Sequence, residues 1–172
     1  VVGGGGGIGV AAADSCEKAG IPLPVFPREL QQQLLGIVPA QGASVRNPVD
    51  VGSPGPPPPM LNLVMDAVFT GTDIDGLIVS EINMSSAPRL PQVDLSLQST
   101  PTPNQQAPVD ARNKFGKPVI MVLPVESNGS GYAEAENARR RSEDWFMQQG
   151  LPGFLTLERA AITLSRFIRY WE

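Results

Sequence analysis

Short apolar runs alternate with helical patterns along the chain, and this alternation restricts the fold more than any other feature. The apolar runs lie at positions 1–2, 23–26, 77–79, 119–123 and 154–155. The helical patterns lie at positions 8–19, 28–36, 61–68, 132–149 and 157–171. Such alternation is typical of a parallel sheet with helices on both faces. We therefore predict a three-layer α/β fold in which about five strands form a doubly wound, flavodoxin-like or Rossmann-like parallel sheet.

Two proline-rich segments do not fit this alternation. The shorter covers positions 53–59 and the longer covers positions 84–108. Because the longer segment lacks an apolar face of its own, we expect a long loop that is poorly ordered or is ordered only by partner contacts. The rest of the pattern, in a chain of 172 residues, fits one domain over positions 1–172.

Composition restricts the partners and the compartment. The formal net charge of −4 argues against a nucleic-acid surface or a basic membrane-binding face. No apolar run approaches the ~20 residues that a membrane span requires, and no signal peptide is visible. A single cysteine, Cys16, suits a reducing compartment. We expect a cytoplasmic protein and, because the first residue already lies in a strand, a fragment of a larger one.

The chain contains no histidine. This absence removes the usual general base, the common metal ligand and any Ser–His or Cys–His pair. One cysteine without histidine also argues against a zinc site, and we interpret Cys16 as a packing residue. The sequence therefore predicts no metal site, and any catalysis by this domain would use backbone groups, helix ends and carboxylates or chemistry supplied from elsewhere.

Five consecutive glycines, from Gly3 to Gly7, separate the first apolar run from the first helix. Glycine is costly to order, so a loop of this composition indicates a need for exposed backbone. Exposed N–H groups at the N-terminus of a helix form a site for phosphate or sulfate. The candidate phosphate-binding residues are Gly4, Gly5, Gly6, Gly7, Ile8 and Gly9.

Two further loops are candidates for the same site. Ligands of doubly wound sheets bind beyond the carboxyl ends of the strands. We expect the loops at 47–50 and 126–131 to meet the glycine loop there. Asn47 and Asp50 are the candidate lining residues. A simple turn at 47–50 is the alternative, since Asn-Pro and Asp-Val-Gly are common in turns.

The same glycines also satisfy a dinucleotide-binding pattern. Gly4, Gly6 and Gly9 match G-x-G-x-x-G, and Glu29 lies 20 residues after Gly9. A run of glycines satisfies this pattern almost by default, however, and Glu29 falls in the next helical pattern instead of at the end of a strand. A flexible entry loop is the third interpretation.

Five stretches resemble the ligase-CoA domain of nucleoside-diphosphate-forming acyl-CoA synthetases, such as the ADP-forming acetate-CoA ligases. They are VVGGGGGIGVAAADSCEKAG, SVRNPVDV, DIDGLIV, GKPVIMVL and LTLERAAITLSRFIRYW. The first is similar to that family's strand, glycine loop and helix, and the second to its S-x-x-N-P-V-D. A similar domain ends the β subunit of succinyl-CoA synthetase. The segments at 53–59 and 84–108 depart from the family pattern.

The resemblance implies a reversible ligase, in which an acid, CoA and ATP or GTP give acyl-CoA, a nucleoside diphosphate and phosphate. A phosphohistidine of another domain would carry the phosphoryl group between an ATP-grasp domain and a CoA-binding domain, with Mg in the complete enzyme. The glycine loop would hold that phosphate, and Asn47 and Asp50 would orient it or hold the loop. Asp14 would fix the loop or contact a partner. The isolated domain would bind none of these cofactors alone and would be inactive.

Two other classes stay open. A dinucleotide-binding Rossmann domain of an oxidoreductase would bind NAD or NADP in isolation. A non-catalytic interaction module would keep the fold without needing the glycines.

Overall fold

The protein is described by a computed structural model over residues 1–39, 43–52, 56–57, 59–80, 101–125 and 132–171. The strands are β1 (Val2–Gly3), β2 (Val49–Asp50), β3 (Leu77–Ser80), β4 (Val119–Val122) and β5 (Gly153–Phe154). The helices are α1 (Gly6–Ala19), α2 (Arg28–Leu35), α3 (Met60–Thr70), α4 (Pro103–Phe115), α5 (Tyr132–Gln148) and α6 (Leu157–Trp171). Strands and helices alternate through this part of the chain as predicted, except that α2 follows α1 with no strand between them, and there is one more helix than expected.

The five strands form one parallel sheet in the order β2-β1-β3-β4-β5. Val2 of β1 lies between Val49 of β2 and Val79 of β3. β4 pairs with β3 on one side and with β5 on the other. This is the flavodoxin-like strand order, so the predicted doubly wound parallel sheet is confirmed.

Helices cover both faces of the sheet and bury two hydrophobic layers. The larger layer contains Val2, Val79 and Met121 of the sheet, and α2, α3, α4 and α5 contribute to it. The smaller layer contains Ile78 and Ile120, and α1 and α6 contribute to it. Strands β3 and β4 are therefore buried on both faces, as their continuous apolar runs predict.

The first and the last helix belong to the smaller layer. Ala12 and Cys16 of α1 share one buried cluster with Ala160 of α6. The Ser165 hydroxyl of α6 donates a hydrogen bond to the carbonyl oxygen of Ala19 at 2.7 Å. Small side chains let two helices approach closely. The position of α1, whose N-terminus follows the glycine loop, is thus set by α6 and by the sheet.

The second strand lies at a different place from the predicted one. Residues 23–26 form no strand, and the Val25 side chain is 91% exposed. Pro22, Pro24 and Pro27 lack the N–H groups that a sheet requires. The strand beside β1 is instead Val49–Asp50, and both of its residues are buried. The prediction at 23–26 is wrong because the proline spacing outweighs the apolar composition.

The carboxyl end of the predicted loop at 84–108 is helical. The Thr102 hydroxyl accepts from the Gln105 N–H at 3.3 Å, and Gln105 Oε1 accepts from the Thr102 N–H at 2.8 Å. This capping box, with Pro103 at the first helical position, starts α4. The prediction of a loop is therefore wrong for residues 103–108, whereas residues 84–100 lie outside the described residues.

An ion-pair network lies along α5. The Arg139 guanidinium donates to Glu136 at 2.8 Å and to Glu143 at 2.8 Å, and its side chain is only 9% exposed. Arg140, which is 69% exposed, donates to the same Glu136 carboxylate at 2.8 Å. Glu136 therefore carries two cationic partners on one helix.

Candidate functional site

The glycine loop lies at the carboxyl edge of the sheet, between β1 and α1. Gly4 follows the strand, and Gly5 is the N-cap of α1. The Gly5 carbonyl accepts from the N–H groups of Ile8 at 3.1 Å and Gly9 at 3.3 Å, so those two donors are already used within the helix. Of the predicted phosphate-binding residues, Gly6 and Gly7 therefore remain as donors at the start of the helix.

Asp50 ends β2 and holds the glycine loop. Its Oδ1 accepts from the Gly5 N–H at 2.8 Å and from the Gly52 N–H at 2.8 Å. Asp50 is only 6% exposed. A carboxylate near a helix N-terminus also interacts favourably with the helix dipole. Asp50 is thus brought to the glycine loop as predicted, and its contact there is with the backbone of the loop.

Two of the glycines are required by the fold itself. A Cβ on Gly3 would lie 3.0 Å from the carbonyl oxygen of Ser80 on β3, which is too close for an ordinary contact. Gly5 has a φ of 100°, a conformation that other residues rarely adopt. Packing and backbone geometry therefore explain glycine at these two positions.

The next glycines are not explained in this way. A Cβ on Gly7 would meet nothing within 4 Å, and one on Gly6 or Gly9 would meet its nearest neighbour at 3.9 Å or 3.8 Å. Glycine inside a helix costs about 1 kcal/mol relative to alanine. Three positions in the first turns of α1 thus carry an unfavourable residue that the described structure does not need. Access to the backbone is the remaining physical reason.

The open donors face solvent beside the Asp50 carboxylate. Gly6 and Gly7 are exposed, and within the described residues their N–H groups have no hydrogen-bond acceptor. The nearest atom to a Cβ on Gly6 would be Asp50 Oδ2, at 3.9 Å. The ion pairs found in the described part of the chain include no cation bound to Asp50. An anion bound here would therefore depend on backbone donors and the helix dipole.

Asn47 lies away from this loop, at the amino end of β2. Its Oδ1 accepts from the Val1 nitrogen at 2.9 Å, and its Nδ2 donates to the carbonyl oxygen of Pro24 at 3.2 Å. Asn47 lines an open groove of about 1190 Å³ together with Thr72 and Pro118, which precede β3 and β4. The expected meeting of Asn47 with the glycine loop is therefore not observed. Asn47 precedes β2 whereas Asp50 ends it, so the two side chains lie at opposite ends of this strand.

The remaining predicted residues can be placed as follows. Asp14 pairs with Lys18 at 2.7 Å on the exposed side of α1 and does not hold the loop. The loop at 126–131 lies outside the described residues. Ser80, which the sequence analysis did not select, ends β3 at this edge and is 2% exposed. A polar residue directly after an apolar run is the signal that points to it.

Cys16 lies away from this edge of the sheet, and the described residues place no metal-binding cluster there. Cys16 is buried, and burial raises the pKa of its thiol, as expected of a packing residue. Among the described residues there is no group of three or more Cys, Asp or Glu side chains placed to hold a metal ion. The described helices include none long and apolar enough to cross a membrane.

The dinucleotide pattern fits the geometry poorly. Glu29 lies in the first turn of α2 and not at the end of a strand. The acidic residue that does end β2 is Asp50, the position expected in a dinucleotide site. Its Oδ1 accepts from the Gly5 N–H, however, so this oxygen is already used within the fold and is not available to a ribose hydroxyl.

Comparison with solved structures supports the fold and the resemblance. PH0766 from Pyrococcus horikoshii OT3 matches with a TM-score of 0.71 and 19% identity, over 95% of this chain and 33% of that chain. The apo form of dinucleotide forming acetyl-coenzyme A synthetase 1 from Ca. Korarchaeum cryptofilum matches with a TM-score of 0.64 and 25% identity, over 99% of this chain and 32% of that chain. No protein-family model and no curated protein matches the sequence.

The chain thus spans about a third of the length of each of these two structures. The second similarity confirms the resemblance to an acyl-CoA synthetase domain that the five stretches of sequence indicate.

Proposed function

We propose that this chain is the ligase-CoA domain of a cytoplasmic, nucleoside-diphosphate-forming acyl-CoA synthetase. The similarity to an acetyl-coenzyme A synthetase over nearly the whole chain supports this assignment. Its partners are then the CoA-binding, phosphohistidine and ATP-grasp domains of the same ligase, and CoA, ATP or GTP and Mg are bound by the complete enzyme. The phosphohistidine must belong to a partner, because this chain has no histidine.

The role of this domain is to bind the phosphate at the start of α1. The observation that carries this proposal is the open backbone at Gly6 and Gly7. Both positions have room for a side chain, both have unpaired N–H groups within the described residues, and both keep the residue that destabilises a helix. A phosphate that approaches the backbone closely needs this arrangement.

Asp50 and Asn47 have supporting roles in this proposal. Asp50 sets the conformation of Gly5 and thereby aims the next two N–H groups outward. Asn47 fixes the amino end of β1 to the segment that contains Pro24, so it acts on the position of the strand that leads into the loop. Neither side chain replaces the backbone as the donor to phosphate.

The decisive experiment follows phosphohistidine formation in the complete enzyme from acyl-CoA and phosphate. Gly7→Val adds a side chain at the open donors, at a position where a Cβ would meet nothing within 4 Å in the free domain. We expect phosphorylation to slow by at least about a hundredfold, because the valine side chain keeps the phosphate away from donors, and loss of one such donor has an effect of about this size. Ala11→Val is the matched control, because Ala11 is exposed on the same helix one turn further on.

If Gly7→Val phosphorylates at the normal rate while the enzyme makes acyl-CoA, the glycine loop does not bind the phosphate. If neither the parent enzyme nor the control makes acyl-CoA, the ligase assignment itself is wrong. The position of Asp50 favours a dinucleotide-binding domain as the second candidate. Quenching of intrinsic fluorescence on titration of the isolated chain with NAD or NADP would support that candidate instead.

A further inference from the structure

Among the described residues, one oxygen of Asp50 has no hydrogen-bond partner, and it lies at the open end of α1. Oδ1 is bonded to Gly5 and to Gly52, whereas Oδ2 has no hydrogen bond within the described residues. Oδ2 lies 3.9 Å from the position of a Cβ on Gly6, so it faces the same space as the open N–H groups. Asp50 is only 6% exposed, so its carboxylate has little access to water. An acceptor therefore sits beside two donors.

We infer that Asp50 makes this site selective for an oxyanion that carries a proton. This inference rests on the proposed function, because it assumes that a phosphate binds at Gly6 and Gly7. Two unprotonated oxygens of the anion accept from these N–H groups. The protonated oxygen donates its P–OH hydrogen to Asp50 Oδ2. Hydrogen phosphate has such a hydrogen at neutral and mildly alkaline pH, whereas sulfate has none.

Sulfate is the informative competitor, since it has nearly the same size and shape as phosphate. At pH 8 both anions are mainly dianions, so long-range repulsion from Asp50 and attraction by the helix dipole affect them alike. The difference is local. Hydrogen phosphate gains a hydrogen bond to a charged acceptor, whereas sulfate places an oxygen lone pair against a carboxylate that is poorly solvated.

The test measures both affinities in the 172-residue chain. The amide shifts of Gly6 and Gly7 are followed by nuclear magnetic resonance during titration with sodium phosphate or sodium sulfate, at pH 8 and constant ionic strength. We expect phosphate to bind at least about tenfold more tightly than sulfate, the usual effect of one hydrogen bond to a charged group. Constant ionic strength removes the general effect of screening.

Asp50→Asn removes the charged acceptor of the P–OH hydrogen while it preserves the hydrogen bonds that shape the loop. The asparagine oxygen can still accept from the Gly5 and Gly52 N–H groups, and its NH₂ group can donate to either anion. We expect the ratio of the two affinities to fall to within about twofold, mainly through tighter sulfate binding. Asp14→Asn is the matched control, because it removes the same charge from the exposed side of α1. It should leave the ratio unchanged.

The outcomes separate this inference from the proposed function. Equal binding of phosphate and sulfate in the parent chain overturns the role of Asp50 and leaves a phosphate site in place. A large ratio that survives Asp50→Asn also overturns it. If neither anion shifts Gly6 and Gly7, both the phosphate site and the inference fail. If Asp50→Asn does not fold, two other measurements decide the inference. They are the ratio of phosphate to sulfate affinity in the parent chain and the loss of the amide shifts with both anions in Gly7→Val.

Discussion

Gln105 Nε2 donates a hydrogen bond to the buried Ser142 hydroxyl at 2.8 Å, which joins α4 to α5. The same side chain accepts from the Thr102 N–H through Oε1, so one residue both caps a helix and connects it to its neighbour. The Ser142 hydroxyl in turn donates to the carbonyl oxygen of Ala138 at 3.0 Å. The polar groups of this contact are therefore satisfied in a buried position.

The first prediction concerns this contact. Gln105→Ala removes the reciprocal bond of the capping box to the Thr102 N–H and leaves the Ser142 hydroxyl with one partner fewer, so the free energy of unfolding should fall by about 1–3 kcal/mol. Gln106→Ala is the control, because the Gln106 side chain bonds only the exposed carboxylate of Asp110 within the described residues. It should change the free energy of unfolding by less than about 0.5 kcal/mol. Urea unfolding measures the free energy of unfolding of both variants. An equal decrease in the two variants would contradict a stabilising role of the Gln105 contact.

The second prediction separates glycines that the fold needs from those it does not. Gly5→Ala forces alanine to a φ of 100° and should lower the free energy of unfolding by about 1–3 kcal/mol. Gly7→Ala should raise it by up to about 1 kcal/mol, because alanine is the better helix former and has space here.

Thermal unfolding of the two variants should therefore shift in opposite directions from the parent chain. A loss of stability in Gly7→Ala would contradict the argument that this glycine serves a ligand. The same variant in the complete enzyme should phosphorylate more slowly although its domain is more stable.

The third prediction concerns acid stability. Hydrogen bonds from Arg139 and Arg140 lower the pKa of Glu136 from 4.5 to about 2. Because the pKa is depressed in the folded state, this ionised carboxylate stabilises the fold above the unfolded value, and the contribution is lost as the pH falls. The loss should occupy the window from about pH 4.5 down to about pH 2.

Arg139→Gln should raise the pKa of Glu136 towards its ordinary value and shrink this acid-dependent loss. Carboxyl nuclear magnetic resonance of Glu136 measures the pKa directly. Arg141→Gln is the control, because Arg141 is exposed and forms no ion pair in the part of the chain that the structure describes. A Glu136 pKa near 4.5 in the parent chain would remove the basis for this prediction.

The fourth prediction concerns Cys16. Its side chain is 1% exposed, and burial raises the pKa of its thiol, so the reactive thiolate is both scarce and shielded. Alkylation by iodoacetamide should be negligible in the native chain at pH 8 and rapid after denaturation. Mass spectrometry of the intact chain counts the adducts. Rapid labelling without denaturant would contradict the interpretation of Cys16 as a packing residue.

The sequence predicts the layers of this fold better than its details. The apolar runs that become β3 and β4 are long enough to be recognised, and their alternation with helices indicates a doubly wound parallel sheet. By contrast, β2 has only two residues, so no pattern of period two can show it. The start of α4 is polar and rich in proline, and its signal is the capping box between Thr102 and Gln105 instead of an apolar stripe.

The candidate site shows a similar limit. The glycine run is visible in the sequence, whereas the hydrogen bond between Gly5 and Asp50 joins residues 45 positions apart. Selecting Asp50 required the resemblance and the expected edge of the sheet, and the same reasoning misplaced Asn47. Only the backbone conformation distinguishes glycines that are fixed by sterics, such as Gly3, from those with open space, such as Gly7.

The bond between Ser165 and Ala19 spans 146 positions of the chain, which has a consequence for how the domain is made. On the ribosome α1 is synthesised before α6, and its buried side, including Cys16, is only partly covered until α6 has emerged. Contacts between such distant segments form slowly, and exposed apolar surface in the meantime favours aggregation. Within this domain, the helix that follows the glycine loop is thus translated before the helix that secures it, so nascent chains stalled before α6 should depend on chaperones.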